Sequence, residues 1–149
     1  LADNNKYEPS DSEINAKKRE RDYQYERMID AENRIRDLRA QKAQLEKAKA
    51  VLVRENSNFQ RMMSYVNNSD MKTIKQWKGV QYDKVYKGDA VKFCDFYVRH
   101  SNQPINKALD KLNWAINDIQ SQINSQEGIW GTAKNLWNSA KTWLENLWN

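Results

Sequence analysis

Glycine and proline are scarce, four and two in 149 residues. Turns that need a left-handed residue or a fixed φ have few places to occur, which argues against a loop-rich or many-stranded fold. No run of alternating β-branched residues bounded by turn residues occurs, so no strand is expected. A single cysteine, Cys94, excludes an intrachain disulfide, and a single histidine, His100, leaves too few ligands for a metal cluster. The two lie on different sides of a helix, and Cys94 is expected to pack rather than react. No apolar run approaches the roughly 18 residues of a membrane span. The first residues, LADNNKYEPSDSE, contain no apolar signal core. The expected location is therefore the cytoplasm, and any export would use a route that reads no such signal.

Catalytic patterns are missing as well. Gly79, Gly88, Gly128 and Gly131 have neither the spacing nor the Lys-Ser/Thr ending of a phosphate loop. His100 lies in the polar stretch VRHSN, and the many carboxylates sit among bases on solvated faces. The chain reads as a non-enzyme with no cofactor and no metal.

Charge is abundant: 30% of residues are charged, 39% are hydrophobic, and the net charge is +5. Residues 10–69 hold thirteen bases and ten acids, residues 70–100 seven and four, and residues 101–149 four of each. Bases interleaved with acids make solvated helix faces rather than a nucleic-acid footprint, so no nucleic acid is expected.

What remains is helical pattern. Residues 1–10 read as a polar, flexible arm. Ser10 and Glu13 have the spacing of a capping box, so a long helix is expected from residue 11. Leu38, Leu45, Leu52, Phe59 and Val66 then recur every seven residues, a coiled-coil-like seam. The stretch NNSD at 67–70 is expected to break the helix. A second helical stretch is expected from about Val80, with Tyr82, Tyr86, Phe93 and Tyr97 toward one side. Pro104 suits either the first turn of a new helix, capped by Asn102, or a kink in a continuous one. Ile105, Leu109, Leu112, Ile116, Ile119 and Ile123 then make a second seam, which Gly128 is placed to end as a C′ residue. The fold class is all-α: an antiparallel helical hairpin over 11–127 with an amphipathic C-terminal helix.

Between the seams lies QWKGVQYDKV, residues 76–85. Gly79 can take the left-handed conformation of a tight reversal, and Trp77 can cover the open end of a two-helix core with Tyr82 packed on it. Trp77-Lys78-Gly79 between two heptad-patterned helices resembles the WXG-type helical hairpins of type VII secretion. The longer WKGVQYDKV, followed by a helix ending in INDIQSQINS, is similar to the YwqH-like proteins encoded beside LXG polymorphic toxins in Gram-positive bacteria. That resemblance implies a partner or targeting chaperone for the toxin's helical N-terminal domain, delivered to the secretion apparatus. Residues of the two seams would then bind the partner, and Trp114 with Asp118 has the aromatic and acid spacing of an export element.

Independently of the name, two helices bury one stripe each and seldom enough area to offset chain entropy. Val51, Val53, Met63, Tyr65, Phe96, Val98 and Trp114 are apolar residues that one seam does not absorb, and they are expected to form a second, docking face.

Residues 128–149 are rich in tryptophan. Ile129, Trp130, Ala133, Leu136, Trp137, Ala140, Trp143, Leu144, Leu147 and Trp148 share one helical sector, with Thr132 a candidate cap. This segment is expected to pack as a third helix, to dock on a partner through Trp130, Trp137, Trp143 and Trp148, or to lie in a membrane interface. Lys134 and Lys141 against Glu145 give too little positive charge to favour the membrane. A self-pairing secreted WXG-type protein, or a membrane- or nucleic-acid-binding helical protein, is the alternative function.

Overall fold

The computed structural model describes residues 7–74, 92 and 95–149, with the backbone alone for 65–74. It is an all-α hairpin of two long helices packed antiparallel. Helix α1 spans Asp11–Ile74 and helix α2 spans Gln103–Asn146, the latter entered through a π turn at Val98–Asn102. Contacts divide the chain into two units, Leu1–Gln41 with Ile119–Asn149, and Lys42–Asp118.

Helix α1 starts where the capping box places it. The Ser10 N–H donates to Glu13 Oε2 at 2.8 Å, and the Glu13 N–H donates to Ser10 Oγ at 3.2 Å. Tyr7 also donates its hydroxyl proton to Glu13. The Tyr7 and Ser10 hydrogen bonds together hold the Glu13 carboxyl below its ordinary pKa. The expected break at 67–70 does not occur, since α1 runs on to Ile74. Asn, Ser and Asp are mediocre helix formers but not breakers, and an established helix adds each residue for one further hydrogen bond.

Pro104 lies within the first turn of α2, and the chain is helical on both sides of it. Without an N–H it cannot bond the His100 carbonyl, and its ring crowds that oxygen. The turn before it widens, and the Gln103 N–H reaches back to the Val98 carbonyl, five residues earlier.

Gly128 does not end the second helix. Helix α2 passes through both Gly128 and Gly131, and the tryptophan-rich segment is its continuation rather than a third helix capped at Thr132. A glycine inside a helix costs about 1 kcal/mol. Burying one large apolar side chain returns about 1.5–3 kcal/mol. Ala133, Ala140 and Leu144 are buried beyond the glycines, with Trp130 and Trp137 half-buried beside them.

In the first unit the closed seam holds Ala31, Ile35 and Leu38 of α1 against Ile119, Ile123, Ala133, Ala140 and Leu144 of α2, all buried. Ala133 and Ala140 are at most 1% exposed, so little room exists there for a larger side chain. Gln24 is buried too, and its Oε1 accepts from Arg27 Nη1 at 3.1 Å. In the second unit Tyr97 is buried with its ring 5.5 Å from that of Phe59, and its hydroxyl donates to Asn56 Oδ1 at 3.4 Å. Desolvation raises the Tyr97 pKa. Among the described residues no helix is long and apolar enough to cross a membrane.

Candidate interaction surface

The two seams have a fuller pattern than their leucines and isoleucines. On α1, residues of reduced exposure recur at alternating steps of three and four: Ile14, Lys17, Arg21, Gln24, Met28, Ala31, Ile35, Leu38, Lys42, Leu45, Lys49, Leu52 and Asn56, then Phe59 at 37% exposure and Met63. On α2 the same rhythm runs from Ile105 to Leu147 through Gln126, Trp130 and Trp137. These steps keep one stripe of each helix facing its neighbour.

Closure differs along the stripe. Leu38, Ile119 and Ile123 are buried within the chain. Leu45, Leu52, Ile105, Leu109, Leu112 and Ile116 are half-buried. The cause is in α1, where Lys42, Lys49 and Asn56 occupy alternate seam positions of the second unit. An aliphatic ladder on α2 thus has an α1 partner stripe that is only half apolar. Lysine stems can cover hydrocarbon while the ammonium stays in water, but they do not seal it.

Apolar side chains off the seam are exposed as well. Val51, Val53, Phe96 and Val98 are exposed, and Met62 joins them at 46%; Val51 and Val53, two residues apart, lie on different sides of α1 rather than on one face. Met63 is half-buried on the seam instead, and the Tyr65 side chain lies outside the described residues. Trp114 is 78% exposed on the outward side of α2, with Asp118 exposed one turn later. Phe96 rests on the ring of His100 in the π turn, with centroids 4.4 Å apart. Trp77, Gly79 and Tyr82, where the hairpin turn is expected, and Cys94 lie outside the described residues.

Trp130 and Trp137 belong to the internal seam. Trp130 Nε1 donates to Glu32 Oε1 at 2.9 Å, and the Trp137 ring lies 6.3 Å from Tyr25. Lys134 and Lys141 cover the same two rings at 4.7 and 5.1 Å. Trp143 is half-buried, and Trp148 is 85% exposed. Beside Trp130 an open groove of about 660 Å³ is lined by Glu32, Ile35, Arg36, Arg39, Glu127 and Gly131. Its charges are satisfied locally: Arg39 meets Glu127 at 2.9 Å, and Arg36 donates to Asn33 at 3.1 Å. Among the described residues no group of three or more His, Cys, Asp or Glu side chains is placed to hold a metal ion.

The arrangement offers apolar and charged surface for another helix. Sequence reasoning followed the residues spaced by seven and passed over Lys42, Lys49 and Asn56, which leave the seam half open. The alternating rhythm would have found them, because it places a polar residue midway between successive leucines. Comparison with protein-family models, curated proteins and solved structures finds no match to this chain.

Proposed function

We propose that this chain is a non-catalytic interaction protein, a helical-hairpin partner or targeting chaperone for the helical N-terminal domain of an LXG-type toxin exported by a Gram-positive type VII system. The observation that carries the reading is the half-open seam. Leu45, Leu52, Leu109, Leu112 and their neighbours are spaced for helix packing and yet remain half-buried in the hairpin alone. A further helix laid along them would remove that area from water, worth about 25 cal/mol per Å². The Trp77-Lys78-Gly79 signature supplies the type VII context, and the outward Trp114 with Asp118 suits a recognition element for the secretion apparatus. The lysine-covered, seam-bound Trp130 and Trp137 weigh against membrane insertion of the tryptophan-rich segment.

The test is co-expression with an LXG toxin N-terminal domain from the same locus, followed by light scattering on the purified species. A complex of fixed stoichiometry that is lost on Leu109→Asp supports the reading. A hairpin that forms a stable homodimer and ignores the toxin domain replaces it with the self-pairing alternative.

A further inference from the structure

The closed unit, Leu1–Gln41 with Ile119–Asn149, has two unlike flanks. In an antiparallel helix pair, residues that directly follow a seam residue border one flank, and residues that directly precede one border the other. The first flank is tied up within the chain. Arg39 pairs with Glu127 at 2.9 Å, Trp130 donates to Glu32, and Lys134 and Lys141 lie over tryptophan rings. On the other flank α1 presents Arg27, Asp30, Arg34 and Asp37, each directly before a seam residue. Asp30, Arg34 and Asp37 are exposed and make no ion pair among the described residues, while Arg27 meets only Gln24 and the Tyr23 ring. Helix α2 presents Ser125, Ile129, Thr132, Leu136, Ser139 and Trp143 to the same flank. Leu136 is exposed, and Ile129 and Trp143 are half-buried.

Both stripes match a reversed copy of themselves. The α1 charges alternate in sign at steps of three, four and three, which keeps them on one side of the helix. Laid antiparallel on its own copy, this series sets Arg27 against Asp37 and Asp30 against Arg34, so that every charge meets an opposite one. The α2 stripe alternates small and large. The same reversal sets Ile129 and Leu136 of each copy against Ser or Thr of the other, and such layers interdigitate instead of colliding. The Trp130–Glu32 hydrogen bond places the middle of the charge series beside the stretch of α2 that carries Ile129 and Thr132. One two-fold axis across the helices therefore serves both stripes. A two-fold interface is isologous and has to be complementary to itself, in charge and in size alike.

We propose that the closed unit docks a second copy of this chain through this flank, α1 on α1 and α2 on α2, each pair antiparallel. Burial of Ile129, Leu136 and Trp143 supplies the affinity. The ion pairs, partly solvated and individually weak, fix the register and exclude other alignments. The inference goes beyond the partner reading above. It uses none of the half-open seam, so a toxin-bound form would carry two chains of each kind.

The experiment is sedimentation equilibrium of the full chain over a concentration series at near-physiological salt, with circular dichroism to show that each variant keeps its helicity. The unaltered chain is expected as a dimer. Arg34→Asp and Asp30→Arg, both at exposed positions, each set like charges against one another in a symmetric pair, and each is expected to weaken the dimer about tenfold or more. Mixed in equal amounts, the two variants regain every opposite pairing, so the mixture is expected to return the dimer as a heterodimer. Leu136→Asp is expected to weaken the dimer to a similar degree, whereas Arg36→Asp, a charge reversal on the other flank, leaves it unchanged. A monomer at every concentration, a dimer indifferent to Leu136→Asp or to the two charge reversals, a mixture that stays monomeric, or a dimer lost on Leu109→Asp instead each overturns the inference. A toxin-domain complex with one copy of each chain refutes this flank and leaves the proposed function standing. A dimer with the expected responses that binds no toxin domain does the reverse.

Discussion

Replacing Gly128 and Gly131 by alanine tests the continuity of α2 through the sign of the effect. Both glycines lie inside Gln103–Asn146, neither has a positive φ, and a Cβ built on either meets nothing within 4 Å. In a helix interior alanine is favoured over glycine by about 0.8–1.0 kcal/mol, mostly because the unfolded chain loses fewer states. Two substitutions without steric cost should add to about 2 kcal/mol. For a chain of this size that raises the thermal midpoint by about 4–8 °C. Had Gly128 been a left-handed C′ residue, a Cβ there would cost about 1–2 kcal/mol and lower the midpoint instead. The assay is thermal unfolding followed by circular dichroism, with each single variant beside the pair. A fall in the midpoint for Gly128→Ala would refute the continuous helix and return the tryptophan-rich segment to a separate element.

Three other outcomes follow from packing and charge. Ala140→Leu should lower the urea midpoint by the equivalent of about 1–3 kcal/mol, because Ala140 is 1% exposed and leaves no space; Ala48→Leu, at an exposed position, should leave it unchanged. Ile123→Ala should cost about 2–4 kcal/mol and Leu109→Ala no more than about half as much, and equal costs would deny that the seam is closed at one and half open at the other. Glu13 has a folded pKa below its unfolded value, so the stability it contributes is present above the ordinary carboxylate range and fades as pH falls through the depressed pKa. Carboxyl-carbon NMR should show this early-protonation resistance, and Tyr7→Phe should move the Glu13 titration upward.

The hairpin itself was legible because leucines and isoleucines at helical spacing leave few other ways to bury them. So was the start of α1, since Ser10 and Glu13 need only each other to form their cap. The end of α1 was not, because NNSD penalises a helix only weakly and the penalty is judged against all the turns preceding it. Gly128 misled for a related reason: glycine is a local signal, and the stripe running from Ile123 through Gln126 to Trp130 and Ala133 outweighs it. That stripe keeps the three-and-four rhythm across the glycine, so the continuity was available to a reader counting steps. The unequal closure of the seam was harder to see. It depends on which α1 residues oppose the α2 ladder, and Lys42, Lys49 and Asn56 look like surface residues until both helices are placed together.

The π turn at Val98–Asn102 stores one residue. Stepping back from Ile105 in the rhythm of α2, the stripe would arrive at Val98, yet Val98 is 38% exposed and Tyr97 is buried. The wide turn has absorbed the difference. Elsewhere in the hairpin, gaining or losing a single residue would rotate everything beyond it by about 100° and carry the stripe off its neighbour. Here a chain shorter by one residue can run as plain α-helix and still deliver Tyr97 to Phe59. The segment is a tolerant point for changes in length, where the sequence can drift by one residue while the packing on either side keeps its phase.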